Sequence, residues 1–378
     1  MEIFKEEKSA LAIKKPVKNN VLLVFPVFGV QPAYGFTFGV LSLYTFRKRA
    51  ENKFSSINAG GSYTTKNQVL TYFKNNMYLN NDKLFLSGDW RYFVFSQSNY
   101  GLGSDIIPSN WKKENFDIQS IEQPMEYNYL KIHQTISWNV LPSFYVGTGF
   151  HLDGYTNIND KNLDVENGKF TYHYDYSKKY GFSDKHYYVN GFSLNLIYDT
   201  RDNLVNTNKG LFVNLNYRHN PSVLKNQFAN GSILAETRYF IPLSKTNKQH
   251  VLGFWAYGQY LVLGKVPYLN LPALGWDQRS RSGKGYTQGL IRGSNLMYFE
   301  TEYRFPITKN QMISGTVFAN ATTASDIDRN VKLMHYFQPA AGVGLRILLD
   351  KETLTNFIIN YGIGRDSKTF YFNDGESF

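Results

Sequence analysis

A two-residue alternation of apolar and polar side chains, repeated along nearly the whole chain, constrains the fold more than any other feature. A period of two sends successive side chains to opposite faces of an extended strand, so it calls for β-structure with two unlike faces. In Asn295 to Phe305 one face carries Met297, Phe299, Thr301, Tyr303 and Phe305, and the other carries Tyr298, Glu300, Glu302 and Arg304. Leu84, Leu86, Trp90, Tyr92 and Val94 alternate likewise with Ser87, Asp89 and Arg91. Leu211, Val213, Leu215 and Tyr217 oppose Asn214, Asn216 and Arg218, and Val343, Leu345, Ile347 and Leu349 oppose Gly342, Gly344 and Arg346. About sixteen such segments can be placed. They begin near Val17, Tyr34, Ser55, Val69, Lys83, Pro124, Pro142, Lys185, Gly210, Phe228, Gln249, Asn295, Met312, Gln338, Thr353 and Thr369. Their length suits a tilted bilayer-spanning strand, and an even number suits a single-chain bacterial barrel.

Composition decides what the apolar face meets. Aromatic residues make up 17% of the 378, including 29 Tyr and 29 Phe, more than a soluble two-sheet sandwich of this size can bury. A barrel sets them against lipid. The mean hydropathy of −0.39 and the lack of any run of about 18 apolar residues argue against membrane helices only. Lumen-facing polar residues keep the average of a barrel low. Cysteine is absent, which excludes disulfides and thiolate chemistry, and a barrel closed by its own backbone bonds needs neither. The net charge of +11 fits anionic lipid headgroups or lipopolysaccharide. Lys and Arg are dispersed and no nucleic-acid motif is visible, so no nucleic-acid partner is expected.

Connections alternate between tight and long. Turns are expected at Lys66-Asn67, Asn80-Asn81, Asn139-Val140, Thr308-Lys309-Asn310 and Asp350-Lys351-Glu352, and long loops over roughly 97–123, 154–184 and 264–294. Short turns at one end and long loops at the other are the habit of outer-membrane barrels. The expected organisation is a short segment 1–16 followed by one transmembrane antiparallel barrel over 17–378, with no room for another domain. Val21 to Val30, interrupted by Pro26, reads as a first strand and not as the apolar core of a signal peptide, the export signal having been removed. Helical periodicity is weak throughout.

Three segments carry a family resemblance. Asp199-Thr200-Arg201-Asp202-Asn203, followed by Asn206-Thr207-Asn208-Lys209-Gly210, is an Asx-rich turn between two strands. The connection before Asn295 holds Ser282-Gly283-Lys284-Gly285-Tyr286 and Ile291-Arg292-Gly293, and its following strand holds Glu300 and Glu302. The next strand holds Phe318-Ala319-Asn320-Ala321-Thr322. Together these resemble the BamA/TamA superfamily of outer-membrane insertases and two-partner secretion transporters, and most of all its short, barrel-only members from Bacteroidetes that lack POTRA domains. The resemblance covers the chain from about residue 17. It implies that the 264–294 loop folds into the lumen and that an Arg-Gly-aromatic tip meets acidic residues on the wall.

Two registers compete for that tip. Spacing to Glu302 favours Lys284-Gly285-Tyr286, whereas Arg292-Gly293 keeps the Arg but lies closer to the strand. Lys at the tip is a departure, since an ammonium is a point charge and a guanidinium a planar fork. Asn320 stands where the family has Asp and Thr322 where it has Gly, so Glu300 or Glu302 is the expected partner. The resemblance also implies a seam between the first and last strands that can open. Phe370, Phe372 and Phe378 supply the terminal aromatics that assembly machinery reads, and Gly375 weakens the last strand's pairing.

No residue set points to an enzyme. The seven histidines, His133, His151, His173, His186, His219, His250 and His335, show no metal spacing, and neither a nucleophile elbow nor a P-loop occurs. No cofactor or metal is expected. A rim hydrolase built on His186 with Asp184 or His173 with Asp175 is the weakest alternative. The favoured expectation is insertion, assembly or translocation of outer-membrane proteins through the seam, with unfolded barrel clients and periplasmic or outer-membrane assembly partners. The alternatives are a non-catalytic accessory subunit of an outer-membrane complex and a restricted porin.

Overall fold

The computed structural model describes residues 19–31, 35–49, 51–108, 116–224, 226–247, 249–351, 353–374 and 378. Its strands are β1 (Asn20–Gln31), β2 (Gly35–Phe46), β3 (Ser55–Thr64), β4 (Val69–Leu79), β5 (Leu84–Asn99), β6 (Gln123–Leu141), β7 (Phe144–Asp160) and β8 (Tyr187–Asp199). They continue as β9 (Gly210–Asn220), β10 (Asn230–Pro242), β11 (Val251–Leu263), β12 (Asn295–Pro306), β13 (Ile313–Ala324), β14 (Gln338–Asp350), β15 (Thr355–Gly364) and β16 (Ser367–Asp374). All sixteen form one antiparallel sheet in which every strand pairs with its neighbours in sequence. The sheet is rolled into a barrel. Residues of the 264–294 connection bond to the inner faces of β5, β12, β13 and β16 alike, which an open sheet would hold far apart.

Alternation sets which face looks inward. On β8, Val189, Ser193, Asn195, Ile197 and Asp199 are buried, while Tyr188, Phe192, Leu194, Leu196 and Tyr198 are exposed. The exposed set joins Trp90, Tyr92, Trp138, Tyr217, Tyr239, Phe254 and Val317 in a continuous outer apolar belt. Such a belt far exceeds what a soluble surface tolerates and calls for lipid. The inner face carries ions in a repeated device: an acid and an Arg two residues on point inward together and pair. Asp89 with Arg91, Asp199 with Arg201, Glu236 with Arg238 and Glu302 with Arg304 all do so at 2.5–2.8 Å.

The long connections, 100–122, 161–186, 264–294 and 325–337, share one end of the barrel, and the short ones, 80–83, 142–143, 307–312 and 351–354, share the other. Several boundaries differ from expectation. Asn139 and Val140 lie inside β6, and the turn falls at Pro142-Ser143, where Ser143 takes φ 61°. β5 runs to Asn99 and β7 to Asp160, so both loops that follow are shorter than expected. A helix, α1 (Tyr172–Tyr180), sits in the 161–186 loop, capped by Thr171 before it and by left-handed Gly181 after it. Residues 1–16, Val17, Glu352 and Gly375 lie outside the described residues.

Candidate functional site

The 264–294 connection enters the lumen and bridges it. Its base is a short ladder: Ala273 pairs with Arg292, the Leu274 amide donates to Ile291 O, and the Gly293 amide donates to Pro272 O. Arg292 fastens this base, donating to the carbonyls of Tyr268, Leu269 and Leu271 at 3.1–3.2 Å with its guanidinium over the Tyr268 ring. One side of the descending loop is shaped by Asp277, whose carboxylate accepts the backbone N–H groups of Arg279, Arg281 and Ser282 and the Ser282 hydroxyl. Arg91 on β5 then grips that turn through Asp277 O and Gln278 O.

The other side ends at Lys284. Its Nζ lies 2.6 Å from Glu300 Oε1 and 2.8 Å from Glu302 Oε2, with the Phe318 ring 4.4 Å below. Glu300 faces Asn320 across the β12–β13 ladder and Glu302 faces Phe318, so these four side chains form one patch under the ammonium. Asn320 Nδ2 donates to Lys284 O at 2.9 Å and completes the seat. A tetrahedral ammonium suits this arrangement, because it reaches two carboxylates at once where a planar fork would favour one. Glu302 is crowded with cations: its Oε1 accepts Arg304 Nε and Arg346 Nη2, each at 2.8 Å. Tyr298 OH donates to Glu300. The whole group is within a few per cent of full burial, where unpaired charge is costly.

Gly285 and Tyr286 carry the tip over β15 to the last strand. Gly285 takes φ 103°, and a Cβ there would lie 2.6 Å from Ala340 Cβ. Gly362 and Gly364 on β15 leave the room, since a Cβ on either would strike Gly285 N or the Tyr286 ring. Tyr286 OH donates to Pro339 O and accepts Arg365 N, and burial raises its phenol above the ordinary range, which keeps it a neutral donor. Two residues of β16 then close on the tip: Thr369 Oγ1 accepts Gly285 N, and Tyr371 OH lies within reach of Gly283 O and Tyr286 O. Of the expected tip residues, the structure brings Lys284, Gly285 and Tyr286 to the wall and places Arg292 and Gly293 at the loop base. Arg346, Asp277 and Tyr371 belong to the same network, and sequence reasoning did not assign them to it.

The Asx-rich turn lies at the short-turn end. Asp199 takes Arg201 in a two-pronged bond at 2.8–2.9 Å and accepts Tyr78 OH from β4. Asp202 accepts the amides of Asn208 and Lys209, which folds Asn206 to Lys209 back toward Thr200, and Gly210 follows at φ 117°. Asn203 caps the turn through Val205 N and ties it to a distant one by donating to Thr353 O. Asn203→Ala is expected to lower barrel stability by about 1–3 kcal/mol, because it orphans buried amide and carbonyl groups. Urea unfolding in detergent, with Asn206→Ala as a half-buried control, reads the difference.

The terminal aromatics divide. Phe370 and Phe372 stand exposed on the outer face, with Phe370 packed on Tyr361. Phe378 turns inward, its ring 5.5 Å from Trp255 and 5.7 Å from Phe240, with Arg304 Nη2 donating to its main-chain oxygen. An apolar seat inside the wall takes it. The histidines do not form the drawn dyads: buried His173 bonds Asp160, not Asp175. His151 lies 2.7 Å from Ser193 Oγ, but among the described residues nothing bonds its Nδ1, so no third group orients it as a base. Among the described residues no cluster of three or more His, Cys, Asp or Glu could hold a metal.

A family pattern described as the Omp85 superfamily domain matches residues 49–378. No protein of curated function matches the chain in sequence. Among solved structures, BamA from Haemophilus ducreyi lacking POTRA domains 1–3 is similar with a TM-score of 0.55 and 14% identity, over 94% of this chain and 70% of that one. CdiB from Acinetobacter baumannii (TM-score 0.54, 13% identity) and CdiB from Escherichia coli (0.57, 9%) are similar over 94% and 95% of this chain. The matched region spans 59% and 63% of those two chains, under two thirds of either. At these identities the likeness is one of fold.

Proposed function

Because this chain belongs to the Omp85 superfamily, we propose that it is an integral outer-membrane barrel that inserts, assembles or translocates other outer-membrane polypeptides through the edge between β1 and β16. The observation that carries the reading is the pairing order: β1 and β16 stand at its two ends, and among the described residues no ladder joins them. An unjoined edge offers backbone N–H and C=O groups to an arriving strand, which can add by β-augmentation. β1 contains Pro26, a residue that sheets tolerate at edges, and β16 is only 8 residues long. The long connections would face outward and the short turns the periplasm. No bond is made or broken in such a task, so no catalytic group is required. Periplasmic or outer-membrane assembly partners would deliver the client.

A second reading is an accessory or structural barrel in a larger outer-membrane complex. The substitutions Lys284 for Arg, Asn320 for Asp and Thr322 for Gly favour it. Depleting the protein and quantifying outer-membrane proteins by mass spectrometry separates the two. Assembly predicts a loss of other barrels, restored by the wild type and poorly by Lys284→Ala or Arg292→Ala. An unchanged outer-membrane proteome would sink the assembly reading and leave the accessory one.

A further inference from the structure

The inner face of β1 is not polar. Leu23 pairs with Leu43, Phe25 with Leu41 and Val21 with Thr45, so Val21, Leu23, Phe25 and Val27 share one face with Leu41 and Leu43. Leu43, 5% exposed, marks that face as inward, and the alternate residues Leu22, Val24 and Phe28 are 62%, 58% and 75% exposed on the outside. One strand further the inner wall turns polar, where Ser56, Asn58 and Ser62 stand opposite Thr45, Leu43 and Gly39. The apolar stripe is therefore two strands wide and runs along the edge where, among the described residues, no ladder joins β16. At that edge it meets the outer belt with no polar strand between. The buried apolar clusters of the described lumen do not include the β1 residues of this stripe. A water-filled lumen would leave their apolar surface against water, which is unfavourable.

The stripe also has a polar end. The inward phase of β2 continues through Thr45 to Arg47, whose guanidinium lies 4.3 Å over the Phe54 ring. Arg47, Lys48 and Asp82 line a cleft of about 300 Å³ at the short-turn rim, beside the turn 80–83 and together with Tyr44 and Phe46 of the outward phase of β2. Asp82 accepts Lys53 N there. An apolar track that is open sideways and finishes at two cations has the shape and charge of an amphiphile with an anionic head. We propose that this stripe holds an acyl chain of a bilayer phospholipid whose phosphate rests at Arg47 and Lys48, the lipid entering sideways between β1 and β16. A client strand fits less well, because its own alternation would set polar side chains against six apolar ones. The cationic end lies at the short-turn end, so the lipid comes from the periplasm-side leaflet. The inference rests on the reading of the chain as a bilayer-spanning barrel.

The chain has no cysteine, so single labels are unambiguous. A fluorophore on Leu22→Cys, Leu23→Cys or Asn58→Cys, with the protein in phosphatidylethanolamine–phosphatidylglycerol vesicles, is challenged with acyl-chain nitroxide phospholipids and separately with aqueous iodide. The expected result is nitroxide quenching at Leu22 and Leu23 to a similar degree, and iodide quenching alone at Asn58. Adding Arg47→Gln and Lys48→Gln lowers lipid quenching at Leu23 and leaves it intact at Leu22. Iodide quenching alone at Leu23 means a wet lumen and overturns the proposal. Protection of Leu23 from both quenchers means a polypeptide cover, residues 1–18 or another chain, and overturns it as well. Failure of nitroxide quenching at Leu22 would instead remove the membrane reading itself.

Discussion

Glu302→Gln is expected to destabilise the folded barrel by about 3–5 kcal/mol, the range for removing one partner of a buried ion pair. One carboxylate there meets three cations: Lys284 from the loop, Arg304 from its own strand and Arg346 from β14. A carboxamide keeps the shape but removes the charge that all three cations meet. Glu300→Gln should cost less, because Glu302 continues to hold Lys284. The measurement is the temperature at which the compact, fast-migrating form disappears on semi-native gels, supported by urea midpoints. Equal losses from the two substitutions would show that Glu302 is no hub.

Gly362→Val is expected to expel the loop tip and leave the wall standing. Valine is well suited to a strand, yet its Cβ would lie 2.6 Å from Gly285 N. The wall side of Gly285 is filled as well, since an added Cβ there would meet Ala340 Cβ at 2.6 Å. The loop must lift, and the bonds of Lys284, Tyr286 and Tyr371 go with it. Single-channel conductance in planar bilayers should rise several-fold, about as much as on deletion of 276–292, while the far-ultraviolet β-signature holds. A folded Gly362→Val barrel with wild-type conductance would mean that the loop does not obstruct the lumen. Combining Gly362→Val with Lys284→Ala should add little, since both release the same tip.

Much of the wall was readable from the chain, because a period of two leaves a mark in every strand where one face meets lipid and the other ions. Each observed strand starts within three residues of its expected place. The turn at Pro142-Ser143 was misplaced because Asn139 looks like a turn residue, whereas the positive φ falls on Ser143, a residue type that gives no such signal. α1 stayed hidden because its sequence, YHYDYSKKY, has no apolar stripe; its boundaries come from the Thr171 cap and Gly181. At the site, Lys284 was chosen by its spacing to Glu302, while alternation turned Glu300, Glu302 and Arg346 toward the lumen. That Arg346 reaches Glu302 was not legible, because the contact crosses two ladders and depends on how tightly the sheet curls. The inward turn of Phe378 left no trace either: an aromatic beside a strand reads the same whether it faces lipid or Trp255.

The unbroken neighbour-to-neighbour strand order also has a kinetic meaning. Every ladder joins segments adjacent in sequence, so the wall can grow hairpin by hairpin at little loop-closure cost. The bridging loop is different, since its anchors on Arg91 and Tyr371 are separated from it by roughly 185 and 85 residues. Those contacts cannot form until both distant walls exist. Amide protection should therefore arise first along the hairpins and last around Lys284, and a chain arrested between the two stages would be a formed cylinder with an unblocked interior.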